Sequence, residues 1–196
     1  MANANAPRGL IPYSRSSGEP YNGAVNVYYV PAGNATALFV GDPVVGITNS
    51  SDCNGIGSVG IAAAGGGTYI LGAMMGVANN AGTTTIPVLQ SQPVYLPAST
   101  AAYVYVADDP DLLYWVQENG AMVSGAPGRN VDLVAGTGNT TTGYSGWQLN
   151  SSTLATTSTL QMRVRQLLQE ADNAIGTNAK WLTHINLSAI TNATGV

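Results

Sequence analysis

From Val25 onward the chain is cut into short apolar runs, each closed by a cluster of Gly, Asn, Asp or Pro. The runs are Val25–Val30, Ala37–Thr48, Ser58–Ala64, Tyr69–Val77, Thr85–Leu89, Gln92–Leu96, Ala101–Ala107 and Leu112–Glu118. Between them stand turn formers such as Pro31-Ala-Gly-Asn34, Asn49-Ser-Ser-Asp-Cys-Asn-Gly55 and Asp108-Asp-Pro-Asp111. Runs this short leave little room for an amphipathic helix, whereas strands at such spacing build a sandwich or a barrel. Asn26-Val-Tyr-Tyr-Val30 and Ala102-Tyr-Val-Tyr-Val-Ala107 carry the β-branched and aromatic residues that suit a pleated surface.

The later part of the chain reads the same way. Ala135–Ser158 is dense in Gly, Thr and Ser but encloses Tyr144 and Trp147, so we expect an ordered loop. Leu160, Met162 and Val164 alternate with Gln161, Arg163 and Arg165, a strand pattern that we favour over the competing helical spacing of Leu160, Val164, Leu167 and Leu168. Trp181–Ile190 alternates as well, with Trp181, Thr183, Ile185 and Leu187 on one face. Composition agrees: charged residues make up 8% of the chain, against about 25% in typical globular proteins. Exposed helical faces are normally covered with such residues. The reading is all-β, a jelly-roll-like barrel or sandwich over residues 25–196.

Residues 1–24 fit neither period. The opening MANANAPRGLIPYSRSSGEP holds three prolines, and we expect an extended N-terminal arm that orders when something binds it. Arg8, Tyr13, Arg15 and Tyr21 are its adhesive side chains and the candidate contact residues toward a partner or a neighbouring subunit. Removing residues 1–20 is then expected to leave the barrel folded.

Little in the sequence supports catalysis. His184 is the single histidine, in mid-strand, with no nucleophile or orienting carboxylate near it in sequence. Cys53 is the single cysteine, so neither an internal disulfide nor a zinc site is available to it. Gly55-Ile-Gly-Ser-Val-Gly60 matches a dinucleotide-binding pattern, but a polar loop leads in and no acid follows before Asp108. Asp108, Asp109 and Asp111 could share a calcium ion, although Asp-Pro is a turn starter in its own right and turn chemistry is the preferred reading. Ten tyrosines and three tryptophans could line a carbohydrate groove, but most lie inside the apolar runs, where core packing explains them. Six cations are scattered along a chain of net charge −4, so nucleic-acid binding is not expected. The polar N-terminus and the lack of a long apolar run lead us to expect neither a signal segment nor a membrane span. No cofactor, metal or catalytic residue is assigned.

Five segments together resemble a family of head structural proteins from short-tailed bacteriophages. They are Met1-Ala-Asn-Ala-Asn-Ala-Pro-Arg-Gly-Leu10, Gly41-Asp-Pro-Val-Val45, Asp108–Glu118, Asp132–Ser152, and Leu160–Arg165 followed by Asn178-Ala-Lys180 and the closing strand. Asp132–Ser152 is the most specific of them. The resemblance implies a capsid cement or decoration protein with a jelly-roll-like barrel, located in the virion after synthesis in the host cytoplasm. Its implied partners are the major capsid protein and other copies of itself, a dimer in preference to a trimer. The family has no catalytic residues to carry over. A tail-associated or carbohydrate-binding virion module is the alternative.

Overall fold

The computed structural model describes residues 3–80 and 93–191. The run Thr85–Leu89 lies outside them. The described strands, in chain order, are β1 (Ile11–Arg15), β2 (Asn26–Val30), β3 (Leu38–Phe39), β4 (Pro43–Ser51), β5 (Gly57–Ile61), β6 (Gly72–Asn80), β7 (Tyr95–Leu96) and β8 (Ala102–Ala107). They continue with β9 (Leu112–Gln117), β10 (Asn130–Val131), β11 (Leu133–Val134), β12 (Gln148–Leu149), β13 (Met162–Leu167) and β14 (Lys180–Ile185). One turn of 3-10 helix, Ser151–Thr153, is the only helical element among the described residues. The chain is all-β.

Two sheets carry the architecture. A closed barrel runs β2-β5-β4-β6-β8, antiparallel throughout except where β2 meets β5 in parallel at Tyr29 and Ser58. A five-stranded sheet runs β1-β9-β14-β13-β10. Small pairs, β3 with β7 and β11 with β12, fasten the connections. Side-chain alternation explains both layers. In β8, Ala102, Val104 and Val106 join the barrel core with Val30, Val44, Val59 and Met74, while Tyr105 faces outward at intermediate exposure. In β14, Trp181, Thr183 and Ile185 face the second core, the side predicted from their alternation. Tyr114, Val116, Met162, Val164, Trp147 and Leu149 complete that core. Each fully buried Val, Leu, Ile or Met side chain among them contributes about 1.5–3 kcal/mol by leaving water.

The polar stretch after Ala135 is ordered, as expected, and its glycines show how. A Cβ on Gly136 would strike the Gly146 carbonyl, and one on Gly146 the Thr137 carbonyl, so the two limbs of the loop lie backbone against backbone. Trp147 is buried at its far end.

Residues 3–24 are largely extended but belong to the body of the fold. Leu10 is fully buried in the second core, and its N–H donates to the Gly41 carbonyl at 2.8 Å. Gly9 (φ +71°) and Gly41 (φ +94°) cross at that point, with no room for a Cβ on either. Ile11–Arg15 then pairs antiparallel with β9 as an edge strand, with a bulge between Pro12 and Ser14. Removing residues 1–20 would therefore take Leu10 out of the second core and β1 off the edge of the five-stranded sheet. Pro12 and the absence of an alternating pattern hid the strand.

Candidate functional site

The side chains most suggestive of chemistry are occupied in holding the fold. The Asp108 carboxylate accepts from Asn26 Nδ2 at 3.0 Å to each oxygen and from the Tyr28 hydroxyl at 2.6 Å. Burial, and then that contact, raise the Tyr28 hydroxyl pKa. Asp109 accepts from the Asp111 N–H at 2.9 Å and pairs with Arg15. This is turn and clasp chemistry. Among the described residues no group of three or more His, Cys, Asp or Glu side chains is placed to hold a metal ion.

Cys53 is exposed, in the turn between β4 and β5. Its neighbour Asp52 organises that turn, accepting from the N–H groups of Asn54 at 2.9 Å and Ile56 at 2.7 Å and from the Tyr103 hydroxyl at 2.5 Å. The Tyr103 hydroxyl leads in holding the Asp52 carboxyl below its ordinary range. The glycine pattern Gly55–Gly60 runs through this turn into β5, with no helix after it. Buried Glu118 accepts from the Met122 N–H at 2.5 Å and from Trp181 Nε1 at 3.2 Å, and burial pushes its carboxyl up. Buried Gln161 accepts from Gly65 and Leu133 N–H groups and donates to the Ala63 carbonyl, tying the β5–β6 connection to β11.

The four candidate contact residues separate. Arg8 lies over the Tyr144 ring, 4.7 Å from its centroid. Arg15 pairs with Asp109 and stands 3.9 Å from Glu19. Tyr21 packs against the second core and donates from its hydroxyl to the Ala24 carbonyl at 3.0 Å. Tyr13 points outward from the sheet, 49% exposed, on the same side as Arg15.

Tyr13 opens onto a groove of about 480 Å3 across the outer face of the five-stranded sheet, between Arg15, Leu113, Leu182, Arg163 and Arg165. Half of the chain's six cations therefore meet in one concavity. The β13 bulge between Val164 and Gln166 turns consecutive residues, Arg165 and Gln166, toward solvent. Arg163 sits opposite His184 in the β13–β14 register and donates from Nε to Asn130 Oδ1 at 2.9 Å. Burial, then Arg165 and Arg163, press the His184 pKa down to about 4, so the ring is neutral near pH 7 and the groove's charge is that of the arginines. Among the described residues no carboxylate pairs with Arg163 or Arg165. The alternation of Gln161, Arg163 and Arg165 signalled the shared face of the two arginines, but their meeting with β1 depended on a strand that the sequence concealed.

A second concavity, of about 370 Å3, lies beside β4 and β5 and is lined by one aromatic ring, Tyr28, among serines, Asn49, Ile47 and Leu71. No helix of the described residues is long and apolar enough to cross a membrane. No protein-family model matches the chain, and neither a curated protein nor a solved structure matches it.

Proposed function

We propose that the chain is a non-catalytic virion protein that binds the outer surface of an icosahedral phage capsid and cements neighbouring major capsid protein subunits. The observation that carries this reading is the sequence resemblance to phage head proteins, strongest at Asp132–Ser152. That segment serves architecture in the fold: Leu133, Trp147 and Leu149 are core residues, and Asp132 accepts from the Gln161 N–H. The engagement of Asp108, Asp109, Glu118 and Asp52 in structural hydrogen bonds supports a role without catalysis. A surface this poor in charge suits a protein that self-associates and gains avidity from repetition on a lattice, where single contacts can be modest.

The test is a cryo-electron reconstruction of intact phage heads. Density for this barrel and sheet outside the shell, bridging capsid subunits, is the expected result. Density at the tail instead would overturn the cement role and favour the carbohydrate-binding alternative. The feature behind that alternative is the group Tyr29, Tyr103 and Tyr105 on the barrel wall, although Tyr103 is buried and its ring is tilted by 55° to that of Tyr29 rather than coplanar. Glycan binding by the isolated protein, lost on replacing those tyrosines, would establish it.

A further inference from the structure

We propose that the groove on the outer face of the five-stranded sheet is a docking site for an acidic segment of another protein, with Arg163 and Arg165 receiving its carboxylates. The proposal goes beyond the virion reading and stands without it. Three observations select this occupant.

First, the two arginines share one face without an acidic partner among the described residues, in a chain whose ten acids outnumber its six cations. Guanidinium groups left unpaired in an acidic protein fit the planar fork of a carboxylate, which each can hold through two hydrogen bonds. Second, the groove is not purely cationic. Half-buried Leu113 and buried Leu182 lie between the arginines and Tyr13, so the cleft has an apolar floor and an aromatic rim beside the charge. A free inorganic anion would use the guanidiniums and leave that strip wet, whereas a peptide carrying an apolar residue next to its carboxylate covers both. Third, a nucleic acid extends well past a site of this size and would meet a surface of net charge −4, which disfavours a polyanion outside the groove.

The single histidine supplies a built-in reporter. His184 faces Arg163 across the β13–β14 pair, and Arg165 also acts on it from β13. Lys180 stands further along its own strand, 5.9 Å from the Trp115 ring of β9 and paired with Glu170. A carboxylate seated between the arginines offsets their field and raises the His184 pKa.

The probe is a capped six-residue peptide of alternating glutamate and leucine, titrated into the full chain and followed by NMR at His184 and the arginine side chains. The expected result is saturable binding, an upward shift of the His184 pKa, and affinity about tenfold weaker in Arg165→Gln, as fits the loss of one charge-assisted hydrogen-bonding group. Arg163→Gln is expected to weaken binding likewise. Arg165 makes no hydrogen bond of its own among the described residues, so its variant keeps the test valid should Arg163→Gln disturb Asn130. Arg8→Gln, outside the groove, is expected to bind as the parent does. The proposal is overturned if the peptide does not bind, if its glutamine counterpart binds equally well, if Arg165→Gln leaves affinity unchanged, or if a charge-matched oligothymidylate binds more tightly than the peptide.

Discussion

Leu10 offers the sharpest test of how residues 3–15 are held. Its side chain is fully buried in the second core. Replacing it with alanine deletes three carbon atoms, worth about 2.4 kcal/mol at roughly 0.8 kcal/mol per buried methylene. The cavity left behind adds to that, because β9 and the Gly41 crossing restrain collapse, and the total is about 3 kcal/mol within the usual range of roughly 2–5. In urea, with a slope of about 2 kcal/mol per molar, the midpoint falls by about 1.5 M at unchanged slope. By thermal melting the same loss is roughly 6–12 °C for a chain of this length. Tyr13→Ala is the internal control: the side chain is 49% exposed, and its replacement should cost less than about 0.5 kcal/mol. If Leu10→Ala shifts the midpoint no further than Tyr13→Ala does, the segment is not docked in solution and the reasoning fails.

Three further outcomes follow from particular contacts. Gly9→Ala places a side chain at φ +71° against the Gly41 carbonyl and is expected to lower stability by about 1–3 kcal/mol, read from thermal melts. Asp42 is buried and accepts from the Phe39 N–H at 2.8 Å, and burial pushes its carboxyl up to about 6. Because the folded value lies above the unfolded one, the folded state binds the proton more tightly, and this group's contribution falls as pH rises from about 4 to about 6. The change is roughly 2–3 kcal/mol, and Asp42→Asn should remove it, so parallel urea-midpoint profiles for the two proteins across that window would contradict the assignment. Asp52 has the opposite sign. Tyr103→Phe removes the leading contact that holds its carboxyl low, so the Asp52 pKa should rise toward the ordinary value in carboxyl-carbon NMR, and no rise would show that the hydroxyl is not its main partner.

The strands that sequence reading found were those where alternation and turn chemistry agree. Ala101–Ala107 and Leu112–Glu118 match β8 and β9 to within a residue, and the favoured strand at Leu160–Arg165 is β13. Ala37–Thr48 looked continuous but divides into β3 and β4, because Gly41 at φ +94° and Asp42 turn the chain between them. Strand β1 was invisible for a different reason. Its ladder partners lie about a hundred residues away in β9, and its local return through Ser14 and Pro20 is a single bridge that no alternating pattern announces. The groove was half legible: period-two spacing puts Arg163 and Arg165 on one side, but the bulge and the arrival of Tyr13 and Arg15 are properties of the assembled sheet. Arg8, Arg15 and Tyr21 stood out as adhesive, and each has a partner within the chain, in the Tyr144 ring, Asp109 and the Ala24 carbonyl.

The side chain of Asn3 donates to the carbonyls of Ala174 and Thr177 at 2.8 and 3.0 Å and accepts from the Ala174 N–H at 3.0 Å. Gln117 joins the same seam, accepting from the Ala6 N–H and donating to the carbonyls of Ala4 and Asn178. On a ribosome, residues 3–6 emerge long before the backbone they bind exists. They must stay unpaired through most of synthesis, and the Gln117 amide and the backbone before β14 stay without these partners. Topologies of this kind close slowly, over milliseconds to seconds, and the nascent chain is most vulnerable to mispairing with its neighbours during that wait. The yield of correctly closed molecules is then set by a race between closure of the Asn3 seam and mispairing of the strands that wait for it.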